Sequence, residues 1–333
     1  MLYQHAPLQA DGKAIVVPPW SCPPLPARDC QDARILFDSV AALLDEEDDP
    51  RPALMMLSAG LRVARACLPA EAWRGYCADL RAHRLGAVLC EDPVTAHSVA
   101  RPRGYSGDAA LLDLIYAGPV PIAAFADTTA RGRRINAVTM TAGVHGARRD
   151  CLALLTDYVD LAAIDARPVV LSLGAGHLRE ADGSNALRSG RIARWVAVDQ
   201  DVESCAEIDR RLGRRVETIP RYISAILNGE VRIEMVDVAY AAGLFDELPT
   251  PIAIKLARRV VAMLRPGGRF LFTNHATGMW DAGFLEAAMD WTLTLRNPAE
   301  MARIAESVAG VTARHWSGAH GALHYCELVK HRR

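Results

Sequence analysis

A glycine turn between two apolar runs constrains the fold of this chain more than any other feature. The run Val169–Leu173 leads into the turn Gly174-Ala-Gly176, and a second run, Trp195–Val198, ends on Asp199. An apolar run, a glycine turn, a helical spacer and a second apolar run are typical of two parallel strands joined by a helix. The sequence therefore predicts an α/β fold with a doubly wound, mostly parallel sheet.

The same unit predicts a nucleotide-like ligand. In doubly wound sheets, glycines let the backbone approach the ligand, and an acid at the tip of the next strand accepts hydrogen bonds from ribose hydroxyls. Asp199 follows the turn by about twenty residues or a little more, which fits that role. The chain continues His177-Leu178-Arg179, without the third glycine of a phosphate-binding Gly-x-Gly-x-x-Gly turn, so an adenosine without phosphates is favoured over a pyrophosphate. An ordinary loop turn after a buried strand is the alternative, because glycine is common there.

Strand and helix patterns alternate through the rest of the C-terminal half. This alternation predicts a parallel sheet whose ligands lie at the carboxyl ends of the strands. Strands are predicted over Val216–Ile219, Val236–Ala242 and Arg269–Thr273, and helices over Asp201–Leu212 and Ile252–Leu264.

The N-terminal part shows helical patterns and no strand pattern. Residues 1–30 are rich in proline, which predicts an extended arm across the surface or against a partner subunit, as in a homodimer joined through this region. We therefore divide the chain into an N-terminal arm with a helical accessory region, 1–130, and a sheet domain, 131–333. Apolar spacing predicts helices over residues 32–46, from Pro52, from Pro69, and from Arg131 to Leu161.

Composition narrows the class of partner. The 333 residues carry a formal net charge of −1 with a pI near 6.8, which provides no basic footprint for nucleic acid or an anionic membrane. A small molecule is therefore the expected partner. No run of eighteen apolar residues and no leader pattern occurs, so a cytoplasmic protein is expected. The eight cysteines include no Cys-x-x-Cys pair, which argues against a metal site and a disulfide framework.

Further motifs resemble a known superfamily. The glycine turn, Asp199 and Leu264-Arg-Pro-Gly-Gly268 are similar to motifs of class I S-adenosylmethionine-dependent methyltransferases, over residues 165–275. The resemblance implies a Rossmann-like methyltransferase fold with S-adenosyl-L-methionine as the cofactor. More specifically, four segments resemble the bacterial extracellular-factor 3-hydroxypalmitic acid methyl ester biosynthesis group: Arg101–Asp108, Ala242–Asp246, Thr273–His275 and Met289–Arg296.

Three positions depart from that pattern. Ser172 replaces the acid that many class I enzymes place two residues before the first glycine. The methionine end of the cofactor is therefore left to backbone groups and to Glu180 or Asp108. Glu247 and His275 stand where aromatic residues are typical of the group, at positions expected to face the substrate.

The resemblance, with the placement of residues at strand ends, implies a set of site residues. Tyr105 is expected to shut out water, and Asp246, His275 and His177 are candidates for a general base. The substrate-binding residues expected are Arg103, Asp108, Asn274 and Arg296. The cofactor-binding residues expected are Ser172, Gly174, Ala175, Gly176, Asp199, Gln200, Tyr222, Ala242 and Gly243.

Arginines are the natural partners of a substrate carboxylate, because the guanidinium group binds it through two parallel hydrogen bonds. Arg103 and Arg296 are the candidates, with internal salt bridges as the alternative for both. The pair Arg148-Arg149, within the helix predicted before the sheet, is interpreted as a solvated face.

The sequence thus predicts methyl transfer to a small, carboxylate-bearing metabolite. A fatty 3-hydroxy acid, an amino acid and a secondary metabolite all fit, and the acceptor atom is left open. One alternative is an NAD-dependent oxidoreductase, although two features count against it: the missing third glycine at Leu178-Arg179 and the motif Arg265-Pro-Gly-Gly268. The other alternative is a non-catalytic protein that binds the cofactor and acts through a partner.

Overall fold

Seven strands form the centre of the protein. A computed structural model describes residues 33–119 and 127–332. The strands are β1 (Val169–Leu173), β2 (Arg194–Asp199), β3 (Glu217–Pro220), β4 (Val236–Ala241), β5 (Leu264–His275), β6 (Val311–Ser317) and β7 (Leu323–Lys330).

The strands lie in one sheet in the order β3-β2-β1-β4-β5-β7-β6. The five strands from β3 to β5 are parallel, whereas β7 runs antiparallel to β5 and β6 runs antiparallel to β7. The chain moves outward from β1 to β3 and then returns to the other side of β1, so the strand order reverses between β1 and β4. Such a reversal opens a crevice at the carboxyl ends of the two strands. The predicted doubly wound, Rossmann-like sheet is confirmed.

Alternating side chains of the central strands enter two separate cores. Leu171 and Val196 belong to the core on one face, and Val170 and Trp195 belong to the core on the other. Successive side chains of a strand point to opposite faces, so apolar runs that are buried on both faces suit a sheet covered by helices on each side.

Helices cover both faces of the sheet. The three helices predicted from residues 32, 52 and 69 are present. The α-helices of the described residues are α1 (Ala33–Glu46), α2 (Arg51–Cys67), α3 (Ala70–Ala82), α4 (Arg84–Leu89), α5 (Pro93–Ala100), α6 (Ala109–Ala117), α7 (Ala130–Thr139), α8 (Gly143–Ala162), α9 (Glu180–Gly183), α10 (Asn185–Arg188), α11 (Val202–Leu212), α12 (Ile223–Asn228), α13 (Thr250–Met263), α14 (Ala282–Ala287) and α15 (Pro298–Glu306).

The prediction of one helix from Arg131 to Leu161 is wrong. The chain forms α7 and α8, and between them Ala142 has an extended backbone with ψ 145°. The backbone N–H of Val144 at the start of α8 donates to the carboxylate of Asp281 at 3.1 Å. A new helix start leaves unpaired N–H groups, and a residue distant in sequence supplies one acceptor here.

Helices from distant parts of the chain pack together in the helical layer. Glu286 on α14 accepts hydrogen bonds from Arg65 at 2.9 Å and from the Trp73 indole at 2.6 Å. A Cβ at Gly283 would lie 3.0 Å from Leu61, so α14 and α2 pack closely. The division at residue 130 stays a prediction, and the proline-rich arm lies outside the described residues. In residues 33–119 and 127–332, none of the helices combines the length and apolar character that a membrane span requires.

Candidate active site

The glycine turn after β1 is shaped by backbone conformations that favour glycine. Gly174 and Gly176 have φ values of 61° and 52°, in the left-handed region. The N–H of Gly176 donates to a carboxylate oxygen of Asp199 at 2.7 Å. A Cβ on Gly176 would lie 3.3 Å from the Cβ of Ala109, the first residue of α6. The turn is therefore closed by the acid of β2 and faces the helical layer.

A cavity lies between this turn and the helical layer. Its volume, including the part open to solvent, is about 420 Å³. Helices α6 and α8 form the wall opposite the sheet, so the two layers build the cavity jointly. Of the predicted cofactor residues, those in the lining are Ser172, Gly174, Ala175, Gly176 and Ala242, and the other lining residues are Ala109, Leu112, Asp113, Tyr116, Leu155, His177, Leu178, Arg179, Glu180 and Tyr240.

The remaining predicted cofactor residues lie outside this lining. Asp199 is 8% exposed, and its second oxygen accepts the N–H of Asp201 at 2.8 Å. Each oxygen of the carboxylate has a further lone pair for a hydroxyl donor. Gln200 is exposed, Tyr222 is 66% exposed at the start of α12, and Gly243 lies in the loop after β4.

A buried carboxylate faces the cavity near Ser172. Glu180 accepts a hydrogen bond from the hydroxyl of Tyr240 at 2.6 Å. Burial raises the pKa of Glu180, with the Tyr240 hydrogen bond opposing the shift. Asp108, the other acid expected near the methionine end, is absent from the lining, because its carboxylate caps α6 through Leu111 at 2.8 Å and pairs with His97 at 2.9 Å. Glu180 therefore supplies a carboxylate near the position where Ser172 replaces the expected acid.

Hydrogen bonds fix the loop Arg101–Asp108 to two other parts of the site. Arg103 donates to Asp201 at 2.6 Å and to His177 Nε2 at 3.1 Å. Ser106 donates to the carbonyl oxygen of Asp290 at 2.7 Å. Arg103 thus makes the internal salt bridge that the sequence left as the alternative to substrate binding.

Tyr105 lies in this loop, whereas His177 directly follows the glycine turn after β1. His177 donates from Nδ1 to Asp113 at 2.7 Å while its Nε2 accepts from Arg103. Both nitrogens are engaged, so His177 is not placed to act as the base. Tyr105 is half-buried, and burial together with the nearby carboxylates of Asp199 and Asp201 raises the pKa of its hydroxyl. Its closing role stays a prediction.

Asp246 and His275 form a buried pair at the ends of β4 and β5. Asp246 accepts the His275 Nδ1–H at 2.8 Å and the His275 backbone N–H at 2.6 Å. Both side chains are fully buried, and His275 Nε2 has no hydrogen-bond partner among the described residues. An imidazole oriented by a carboxylate through Nδ1 carries a lone pair on Nε2, which is the arrangement of a general base.

The charges of the pair follow from their surroundings. Burial lowers the pKa of His275, and the positive charge of Arg148 lowers it further, while Asp246 opposes this. Burial opposes ionisation of Asp246, but His275 and Arg148 outweigh it and hold the pKa of Asp246 below its usual value. We therefore assign a neutral imidazole beside an ionised carboxylate at neutral pH.

Two predicted substrate residues instead support the backbone. Arg296 is 1% exposed and donates to the carbonyl oxygen of Phe245 at 2.7 Å, to the carbonyl of Leu248 and to the side chain of Asn274. Asn274 donates in turn to the carbonyl of Thr294 at 2.7 Å. Arg296 thus supports the loop after β4, and Asn274 supports the segment around Thr294. Both side chains use their polar groups within the protein.

Sequence reasoning missed Arg148. Its side chain is 5% exposed and donates to Asp246 at 3.3 Å, so the interpretation as a solvated face is wrong. The buried positions of α8 include Val144, Arg148, Cys151 and Leu155. These recur at helical spacing, so the sequence does contain a signal that places Arg148 on the inward face.

Comparison with known proteins supports the fold. The sequence matches no family model and no curated protein. Its structure is similar to that of a possible exported protein from Bordetella parapertussis, with 16% identity, coverage of 67% of this chain and 79% of that chain, and a TM-score of 0.55.

Two weaker similarities complete the comparison. Magnesium protoporphyrin IX methyltransferase from Synechocystis PCC 6803, with bound SAH, has 10% identity, coverage of 56% and 85%, and a TM-score of 0.43. N-methyltransferase NodS from Bradyrhizobium japonicum WM9, in complex with S-adenosyl-L-homocysteine, has 14% identity, coverage of 55% and 87%, and a TM-score of 0.42. The Bordetella structure supports the shared fold.

Proposed function

We propose that this protein is an S-adenosylmethionine-dependent methyltransferase that acts on a hydroxyl or amine of a small, carboxylate-bearing metabolite. The observation that carries the proposal is the cavity beside the glycine turn, with the Asp246–His275 pair at the neighbouring strand ends. A Rossmann-like sheet binds its ligand at this edge.

The residues present fit this cofactor. Gly174 and Gly176 leave the backbone open to a close ligand, and Asp199 retains lone pairs for ribose hydroxyls. Glu180 is a buried carboxylate in the cavity, suited to the amino group of the methionine end. The turn lacks the third glycine of the Gly-x-Gly-x-x-Gly motif, because Arg179 stands at that position, so the dinucleotide fingerprint is incomplete.

The chain's own residues have three tasks in this reaction. When bound, the cofactor supplies a methyl group on a positively charged sulfur, and the leaving group is neutral. The cavity walls align the acceptor and exclude water. The acceptor proton moves to His275 Nε2 as the bond to the methyl carbon forms, and Asp246 stabilises the resulting imidazolium. A carboxylate acceptor has no proton to give, so this base favours a hydroxyl or an amine.

Incubation of the protein with methyl-labelled cofactor and a small-metabolite extract tests the proposal. We expect label in one acidic metabolite, with a mass increase of one methylene. Binding of S-adenosylhomocysteine without any transfer would favour the non-catalytic alternative. Reduction of NAD by the same extract, without label transfer, would favour the oxidoreductase.

Asp199→Ala is expected to weaken binding of S-adenosylhomocysteine by about 1–3 kcal/mol, because ribose hydroxyls lose their acceptor in a closed site. Asp199→Asn keeps one oxygen acceptor and should lose less. Isothermal titration measures both. Unchanged affinity in the alanine variant would contradict the assignment of Asp199 to the ribose.

Glu180→Gln is expected to weaken the binding of S-adenosylhomocysteine without lowering the stability of the protein. Burial raises the folded-state pKa of Glu180 above its usual 4.5. At a pH between the two pKa values the folded state therefore binds more protons than the unfolded state, and the free energy of unfolding falls as the pH rises through this range. The variant should therefore be at least as stable as the wild type at neutral pH. Its affinity for S-adenosylhomocysteine should fall at least about tenfold, because a charged hydrogen bond is lost.

Glu230→Gln is the matched control for this measurement, since Glu230 is exposed. It removes the same charge and should change neither property. Thermal unfolding between acidic and neutral pH, together with calorimetry, reads both effects. A Glu180→Gln variant that binds the ligand as the wild type does would remove Glu180 from the cofactor site.

A further inference from the structure

Several buried polar atoms without partners lie beside the Asp246–His275 pair. We define the Arg148 cluster as His145, Arg148, Asp246, His275 and Trp291. In the part of the chain that the structure describes, His145 Nε2, Arg148 Nε, His275 Nε2 and Trp291 Nε1 are buried and make no hydrogen bond. Native proteins contain few such atoms, and each calls for an explanation. Their concentration at one point indicates a polar group of a ligand.

Of the groups in the Arg148 cluster, the Arg148 guanidinium needs the most hydrogen-bond partners. It has five N–H donors, and its hydrogen bond within residues 33–119 and 127–332 is the 3.3 Å contact with Asp246. That carboxylate already accepts from His275 at 2.6 Å and 2.8 Å. A buried charge needs both an opposite charge and hydrogen bonds. Asp246 is therefore an incomplete partner for Arg148.

Gly243 and Trp291 pack against this guanidinium group from two sides. Gly243 has φ 94°, and a Cβ there would lie 2.6 Å from an Arg148 terminal nitrogen. The preceding residue, Ala242, lines the cavity. On the other side, the guanidinium carbon lies 5.9 Å from the centre of the Trp291 ring. Arg148 thus lies next to the cavity, on the side of the proposed base.

The two histidines of the cluster add no negative charge beside Arg148. Burial lowers the pKa of His145 to about 4, so His145 is neutral at pH 7. His275 is neutral as well. Arg296 also lies near Asp246, and its hydrogen bonds go to neutral oxygen atoms. The acids near the two guanidinium groups are Asp246, Glu247 and Glu300. Burial raises the pKa of Glu247 to about 7, so this acid is only partly ionised at neutral pH. Arg148 therefore has one fully ionised carboxylate beside it, Asp246, which it shares with His275, and this favours an anionic ligand over a neutral one.

We propose that Arg148 binds the acidic group of the acceptor, a carboxylate held by the guanidinium fork. This inference rests on the proposed function and deepens it, because it assigns the acid to a residue on the base side of the cavity. Arg103 and Arg296 use their donors internally, as described above. The cofactor also has a carboxylate, but Arg148 does not line the cavity and lies beside His275, which favours the acceptor.

Thermal unfolding of the full chain, saturated with S-adenosylhomocysteine, tests this assignment. Acetate, benzoate and octanoate are each titrated beside their primary amides. We expect the acids to raise the unfolding midpoint of the wild type and the amides to leave it unchanged. Arg148→Gln should need at least about tenfold more acid for the same shift. Arg149→Gln removes a guanidinium group from the next position of α8 and should respond as the wild type does.

Further measurements keep the outcomes distinct. Arg148→Lys retains the charge but loses the fork, and it should need at least about tenfold more acid even if the glutamine variant does not fold. Equal responses to acid and amide, or an acid response that survives in both Arg148 variants, would overturn the inference.

The cofactor itself provides the last comparison. If Arg148→Gln weakens binding of S-adenosylhomocysteine but not of methylthioadenosine, which has no carboxylate, Arg148 pairs with the cofactor and the acceptor assignment is overturned. Failure of S-adenosylhomocysteine to stabilise the wild type would contradict the proposed function instead. In that case the acid and amide titrations are done without S-adenosylhomocysteine. The same comparison of acid with amide, in the wild type and in the Arg148 variants, then decides the role of Arg148.

Discussion

Asp246→Ala is expected to lower the free energy of unfolding by about 3–5 kcal/mol, because it leaves a buried positive charge without its partner. The carboxylate pairs with Arg148 and accepts two hydrogen bonds from His275 in a fully buried site. Urea unfolding followed by circular dichroism measures the change. The midpoint should fall while the dependence on denaturant stays the same.

Asp157→Ala is the control for this measurement. Asp157 is an exposed acid on α8, and its loss should change the unfolding free energy by less than about 0.5 kcal/mol. If Asp246→Ala proves as stable as this control, the pair is not buried as described, and the neutral state of His275 loses its basis.

His275→Gln is expected to reduce turnover by about 10²–10⁴-fold, the usual contribution of a positioned general base. Affinity for S-adenosylhomocysteine should change little, because His275 does not line the cavity. Label transfer to the acceptor found in the extract measures kcat and KM separately. His331→Gln replaces an exposed histidine and should retain wild-type turnover.

The pH dependence adds a second readout. Burial lowers the pKa of His275 below its usual 6.5, so the base is unprotonated at neutral pH and becomes protonated only in more acidic solution. Wild-type kcat/KM should therefore fall as pH drops through that lowered pKa. The glutamine variant should lack this acidic limb. Wild-type turnover in His275→Gln would indicate an acceptor that gives up no proton.

The parts of the fold that depend on local pattern could be predicted from the sequence. The apolar runs of β1 and β2 are buried on both faces, so their composition alone indicates central strands. The last two strands, β6 and β7, escaped prediction. Most residues of the edge strand β6 are exposed and show no alternation. The strand predicted from Arg269 begins earlier, at Leu264, because Leu264 pairs with Val236 across an irregular register. Pairing of this kind depends on tertiary context.

The candidate site shows the same limit. The glycine turn and Asp199 follow from spacing, and Asp246 and His275 follow as separate candidates from their placement near strand ends. The partners of Arg103 and Arg296 do not, because Asp201 and the carbonyl of Leu248 lie 98 and 48 residues away. A guanidinium group is equally suited to a substrate or to the protein itself, so sequence cannot choose between them.

Calorimetric titration of the purified protein tests the central claim most directly. Aliquots of S-adenosylhomocysteine and of NAD are added separately to the full chain, with Gly176→Val as the variant whose side chain would enter the turn against Ala109. Our account predicts saturable binding of S-adenosylhomocysteine to the wild type, its loss in the folded variant, and no binding of NAD. Binding of NAD without binding of S-adenosylhomocysteine would contradict it.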